Sequence, residues 1–277
     1  MLTSAQNPKI KDLLALQEKS RLRREKGLFV VEGRRELEHC LEAGYQIDTL
    51  FVCPDILELT DETPLLRSLL DSGSQPATGC HARPDRASDV FEVSPAVYGK
   101  IAYREGTEGI VAEVVTPELT LAKLNLPENP LVMVLEAVEK PGNLGAVLRS
   151  ADAAKADAVI ICDPLTDLFN PNLIRASIGA VFTVPVVTAT SEEAIKFLKD
   201  RGIRILTAQL QDSVLYYDSD MRHAVALVMG TEATGLSQAW REAADAHIRI
   251  PMLGRLDSLN VSVSAAILLF EAVRQRQ

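Results

Sequence analysis

Three stretches in the C-terminal half of the chain place glycines, small polar side chains and a charged group directly after an apolar run, where a ligand could meet exposed backbone. The first, EKPGNLGAVLRSADA (Glu139 to Ala153), sets Asn143 where its side chain could cap the helix that follows, with Gly142 and Gly145 permitting close approach of backbone. Arg149 lies six residues beyond Asn143, about one and two-thirds helical turns, so spacing alone does not bring the two side chains to one face. An ordinary capped helix with a surface arginine fits as well. The second, MGTEATGLS (Met229 to Ser237), brackets Glu232 between Gly230 and Gly235. That arrangement suits a small-ligand site lined by backbone amides, and it also suits a tight turn. No Lys-Ser or Lys-Thr follows Gly235 and the chain has no G-x-G-x-x-G, which excludes both a P-loop and a dinucleotide fingerprint. In the third, Ile248 to Arg276, Pro251 ends a strand and Gly254 permits a turn. Ser258, Asn260, Ser262 and Ser264 then stand at the mouth of an almost wholly apolar helix. Polar groups buried there need partners, which capping, helix packing or the polar edges of a ligand could supply.

Other chemistries find little support. Cys40, Cys53, Cys80 and Cys162 lie far apart with no C-x-x-C pair and no His at metal-ligand spacing, so neither a zinc site nor a disulfide framework is expected, and reduced, buried thiols are. His39, His81, His223 and His247 all fall outside the three stretches and are assigned no catalytic role.

The elements that would position these loops follow from hydrophobic rhythm. Ile10, Leu13, Leu14 and Leu16 predict a helix running on through a basic cluster to Gly27. Leu28 to Gly33 and Ile47 to Cys53 read as strands around a helix that stops at Gly44, followed by helix-like pieces at 62–71 and 82–90 and a strand at Gly109 to Val115. A proline-rich linker covers 117–130, separating a small α/β domain (1–116) from a larger one (131–277). In the larger domain LVMVLEAV, AVIICD, TVPVVTA, IRILTAQL and AVALVMG predict strands apolar on both faces. Helices are expected at Gly145 to Lys155, Asn172 to Val181, Ser191 to Gly202 with a Ser N-cap, near Ser237 to Ala244, and at the C-terminus. Such alternation predicts a parallel sheet covered on both sides.

With 277 residues, 47% of them hydrophobic, the chain can fill one large core or two modest ones. Its longest stretch free of Asp, Glu, Lys and Arg, Ala176 to Ser191, falls short of a membrane span. The start MLTSAQNPKIKD has no apolar segment behind a basic one, so the cytoplasm is the expected compartment. The net charge is −9, yet residues 1–35 hold nine Lys or Arg against four acids. A basic arm on an acidic body suits a local polyanion contact, as it also suits a solvated helix face.

In order and spacing the three stretches resemble the SpoU/TrmH-type RNA 2′-O-ribose methyltransferases of the SPOUT superfamily: N-L-G-A-V-L-R-S (Asn143 to Ser150), G-T-E-A-T-G-L (Gly230 to Leu236) and I-P-M-x-G through S-L-N-V-S-V (Ile250 to Val263). Ser150 stands where Thr is the commoner residue of the first motif. The N-terminal third, with N-P-K-I-K (Asn7 to Lys11) and F-V-V-E-G (Phe29 to Gly33), resembles the ribosomal-protein-like substrate-binding domain of many members.

The resemblance implies a C-terminal parallel-sheet domain with a deep trefoil knot, homodimerisation through the knotted region, and no metal. It implies S-adenosylmethionine held around Gly230, Ile250 and Leu259 with Met252, Ser258 and Ser262 nearby, and an active site of Arg149, Asn143, Glu232 and Asn260. A guanidinium is a poor base, so Arg149 is expected to anchor a phosphate or polarise the hydroxyl rather than remove its proton. RNA would be gripped by the basic segment, through Lys9, Lys11, Arg21, Arg23, Arg24 and Arg34. Ribosomal RNA is expected ahead of transfer RNA, and the need for a 2′-hydroxyl excludes DNA. A catalytically silent RNA-binding scaffold is the competing reading. Retention of Asn143, Arg149, Glu232, Ser258 and Asn260 together speaks against it.

Overall fold

The computed structural model describes residues 1–60, 63–72, 89–103, 108–231 and 234–277. Two units divide the chain: Met1–Pro117 with Phe169–Arg175, and Glu118–Leu168 with Ala176–Gln277.

In the first unit Asn7 starts α1 (Pro8–Glu18), its side chain accepting from the Lys9 backbone amide while Pro8 occupies the first turn. The single helix expected here is two. Lys19 is extended (φ −108°, ψ 104°) and separates α1 from α2 (Ser20–Lys26), which ends at Gly27 in the left-handed region. Arg23 on α2 secures the break, its Nη1 donating to the carbonyls of Leu16 (2.5 Å) and Gln17 (3.0 Å) at the end of α1. There follow β1 (Leu28–Glu32), α3 (Arg34–Glu42), β2 (Ile47–Val52), α4 (Pro64–Ser72), β3 (Asp89–Glu92), α5 (Pro95–Ile101) and β4 (Ile110–Val115). The sheet order is β1-β4-β2-β3, with β4 antiparallel to both neighbours and β2 parallel to β3. Ile10, Leu13, Leu16, Phe51, Val97 and Tyr98 fill the core between one sheet face and the helices. Of the helix expected at 82–90, residues 82–88 lie outside the described residues, and Asp89 and Val90 belong to β3.

The second unit contains β5 (Leu131–Glu136), α6 (Pro141–Ala153), β6 (Ala158–Cys162), α7 (Pro171–Ser177, its first turns in the first unit), α8 (Ala180–Thr183) and β7 (Val186–Ala189). It continues with α9 (Ser191–Asp200), β8 (Arg204–Ala208), β9 (Val214–Leu215), β10 (Val225–Met229), α10 (Gln238–Ala243), β11 (Ala246–Arg249) and α11 (Val261–Arg276). All seven strands are parallel, in the order β7-β6-β5-β10-β8-β11-β9. β5, β6 and β10 are buried at every position, and apart from Glu136 at the end of β5 their residues are all apolar. The chain first lays β6 and β7 outward from β5; β10 later enters between β5 and β8, and β11 between β8 and β9. The carboxyl ends of β5, β10, β8 and β11 thereby become neighbours, the crevice where open parallel sheets bind ligands.

Three boundaries differ from expectation. α6 begins at Pro141 with Lys140 as N-cap, so Asn143 sits inside the first turn instead of capping it. The helix expected at 172–181 breaks into α7 and α8, because Ile178 (φ 54°) and Gly179 (φ 84°) are left-handed. The cap of α9 is Thr190, closing a capping box with Glu193, and Ser191 turns inward.

At the far end of the sheet, Arg276 on the last turn of α11 donates to the carbonyls of Met221, Asn129, Pro130 and His223. Cys40, Cys53 and Cys162 are free and buried, while Cys80 lies outside the described residues. No helix among the described residues is long and apolar enough to cross a membrane.

Candidate functional site

The loop leaving β10 is folded back on itself. Thr231 and Gly235 exchange backbone hydrogen bonds (3.2 and 3.1 Å), and Thr231 Oγ1 accepts from the Thr234 amide at 3.0 Å. A Cβ on Gly230 would lie 2.3 Å from the Gly235 carbonyl, so only glycine fits there without moving backbone. Glu232 lies outside the described residues.

The loop is anchored at its far end by a buried carboxylate. Glu136, the last residue of β5 and 7% exposed, accepts from the Ser237 amide at 2.8 Å. Ser191 Oγ lies 2.6 Å from Asp163 Oδ2 and 3.2 Å from Glu136 Oε1, and accepts from the Trp240 indole at 2.9 Å. The hydroxyl has one hydrogen, so it donates to one carboxylate at a time while the indole holds it in place.

Against this loop lie two cavities. The larger, of about 470 Å³, is bounded by the ends of β8, β10 and β11 and by α11, and is lined by Gly230, Ile250, Met252, Ser258 and Leu259. Ser262, expected with them, does not line it; its Oγ donates instead to Asn260 Oδ1 at 2.6 Å, within the cap of α11. The smaller cavity, of about 350 Å³, opens beside Lys140, Asn143 and Leu165 and shares Gly230, Thr231, Thr234 and Val261 with the first. Where α6 and α11 begin, Asn260 Nδ2 donates to Asn143 Oδ1 at 3.1 Å, linking two motifs 117 residues apart. Gly145 lets α6 lie this close to the end of α7: a Cβ there would sit 2.6 Å from that of Ala176. Arg149 lines neither cavity. It is exposed further along α6, with no hydrogen-bond or ion-pair partner among the described residues.

Residues the sequence did not single out complete the larger cavity: Gln209, Leu210 and Gln211 after β8, and Arg241 on α10. Among the described residues Gln209 Oε1 and Arg241 Nε are buried with no hydrogen-bond partner. Among the described residues no group of three or more His, Cys, Asp or Glu side chains is gathered as metal ligands would be. Burial raises the Cys162 thiol well above its ordinary range and keeps it protonated, so it offers no nucleophile beside Glu136.

Of the basic residues expected to meet RNA, Lys9, Lys11, Arg21 and Arg24 are exposed. Lys9 pairs with Asp89 at 3.5 Å, and Arg21 with Glu25 at 2.6 Å. Arg34 is partly covered, donating to the Glu58 carbonyl beside Glu108. Arg23 requires correction: it is 3% exposed and bound to the end of α1, so it faces no solvent from which RNA could approach.

Residues 130–270 match the SpoU rRNA Methylase family, and residues 7–112 the MRM3-like substrate binding domain. The chain is 31% identical to the 23S rRNA (guanosine(2553)-2′-O)-methyltransferase RlmP of Bacillus subtilis over 97% of both chains. It is 40% identical to the 23S rRNA (guanosine-2′-O-)-methyltransferase RlmB of Ralstonia nicotianae over 64% of this chain and 73% of the relative. Among solved structures, the AdoMet-bound rRNA methyltransferase of Sinorhizobium meliloti superimposes with a TM-score of 0.85 at 31% identity, covering 99% of this chain and 97% of that one. A family match over half the chain and a relative aligned over 97% of both chains lead to one conclusion: the chain belongs to the SpoU rRNA methylase family.

Proposed function

We propose that this protein transfers the methyl group of S-adenosylmethionine to a ribose 2′-hydroxyl in the RNA of the large ribosomal subunit. The observation that carries this reading is the pair of cavities sharing Gly230, Thr231, Thr234 and Val261, with Asn143 and Asn260 joined beside the smaller one. Adjoining cavities that share lining residues suit reactants held side by side, as a direct transfer requires. The larger cavity has the size of a small-ligand site, and Gln211, Arg241 and Ser258 in its lining suit a polar occupant. Bound there, S-adenosylmethionine supplies an electrophilic methyl on its sulfonium.

The chain's own residues do the rest. Gly230, Ile250 and Leu259 offer backbone to the cofactor, with Met252 and Ser258 beside them, and Glu136 keeps the loop folded over it. Asn143 and Asn260 orient the acceptor ribose, with Glu232 on the intervening loop. A guanidinium is a poor base, so Arg149 grips a phosphate or polarises the 2′-hydroxyl and leaves the proton to another acceptor. Lys9, Lys11, Arg21 and Arg24 add the positive surface that an acidic protein must concentrate to hold RNA. Pairing of two copies through the second unit is supported by the apolar surface of Leu253 (95% exposed), Leu256 (79%) and Phe270 (48%). A trefoil knot is supported by the late insertion of β10 and β11 between strands already laid down.

The test is transfer of labelled methyl from S-adenosylmethionine to total RNA from cells lacking the protein, resolved by size. Wild type should label large-subunit RNA, and Arg149→Ala should fall about 10²- to 10³-fold while still binding cofactor. Label in transfer RNA would overturn the substrate, and neither label nor cofactor binding would overturn the reading altogether.

A further inference from the structure

The larger cavity contains an electrostatic feature that the family motifs do not account for. Two arginines line it. Arg249 is committed, its Nη1 donating to the carbonyl of Ser213. Arg241 is not: among the described residues its guanidinium has no hydrogen-bond or ion-pair partner. Its guanidinium lies against the folded loop, since a Cβ on Gly235 would come 3.7 Å from Arg241 Nη2. Its Nε is closed off from the open space of the cavity, so contact with a ligand falls to the two terminal nitrogens, and a guanidinium fork that lines a cavity without an acceptor suits an anionic or strongly accepting group.

We propose that Arg241 anchors the α-carboxylate of the cofactor's methionine end, an inference that rests on the cofactor reading above. S-Adenosylmethionine carries one carboxylate, and of the two cationic side chains lining the cavity Arg249 is committed and Arg241 has no partner among the described residues. Gln209, which also lines the cavity, offers no charge to a carboxylate. Arg241 lines the larger cavity and not the one beside Asn143, so its anion belongs to the cofactor and not to an RNA phosphate. Fixing the carboxylate would fix the sulfonium relative to the Asn143–Asn260 pair, making Arg241 a positioning residue for transfer.

The experiment measures calorimetric affinity of the full-length protein for S-adenosylmethionine and for its decarboxylated analogue, in wild type, Arg241→Met and Arg241→Lys. Wild type should prefer the intact cofactor by about ten- to a hundredfold, the worth of a charge-assisted contact. Arg241→Met should lose that preference while binding the analogue as wild type does, and Arg241→Lys should retain part of it. Equal weakening of both ligands by Arg241→Met would reduce Arg241 to a packing role, and an unchanged preference, or a loss confined to RNA affinity, would equally overturn the assignment. If wild type bound neither ligand, the cofactor reading itself would fall. Thermal melts of the three proteins separate lost affinity from lost folding.

Discussion

The two units use buried polar side chains in opposite ways. In the first, they are spent on the unit's own backbone: Arg23 closes the end of α1, Gln17 donates to the Ile101 carbonyl at 2.7 Å, and Glu38 accepts from the amides of Leu65 and Leu66 that open α4. In the second, Glu136 and Ser191 hold a loop, while Gln209 and Arg241 leave buried atoms without partners beside a cavity. The difference teaches where to look for a ligand. A polar group that satisfies backbone is holding the fold together, and one that satisfies nothing is waiting for something outside it.

That contrast can be broken at three points. Glu136→Ala leaves the Ser237 amide unmatched inside the protein and frees the loop, so it should cost about 3 kcal/mol in chemical denaturation and weaken S-adenosylmethionine about tenfold. Full affinity in that variant would mean the loop holds its shape without its anchor. Arg23→Met, in the other unit, uncovers the carbonyls of Leu16 and Gln17 and should cost about 2 kcal/mol. Cofactor affinity should not move, and a parallel fall in it would erase the distinction between the units.

Glu113 gives the smallest effect and a sign. It lies on the central strand β4, 7% exposed, where burial first and the nearby Asp48 second push its pKa from 4.5 to about 7, against the opposing pull of Lys26 and Lys9. Between those values the native state holds a proton that the unfolded chain has released, so stability should fall as pH rises through that window. Glu113→Gln removes the titration. It should raise Tm by about 4 °C at pH 8 and leave it unchanged near pH 4.5, whereas a gain independent of pH would point to packing.

Sequence patterning made the second unit's sheet easy to read, because a strand buried on both faces is an unbroken apolar run. The edge strand β3, with its sequence DVFE, carries no such signal, and two-residue β9 is too short to carry any. Thr190 and Ser191 are equally good caps by residue type; the Glu three residues after Thr190 separates them, since it completes the box. Gly230, Ile250, Met252, Ser258 and Leu259 could be located by motif. Gln209 and Arg241 could not. They join the cavity only because β10 stands beside β8 and β8 beside β11, an adjacency set by strand order that local sequence does not encode.

That strand order also governs how the protein emerges from the ribosome. β5 is completed at Glu136, but its neighbour on one side, β10, begins at Val225, roughly ninety residues later. At about 5–20 residues per second, the nascent chain carries an open, predominantly apolar strand edge for roughly 5–20 s before its partner exists. Synthesis rate and chaperone supply should therefore decide the yield of this protein more than its final stability does.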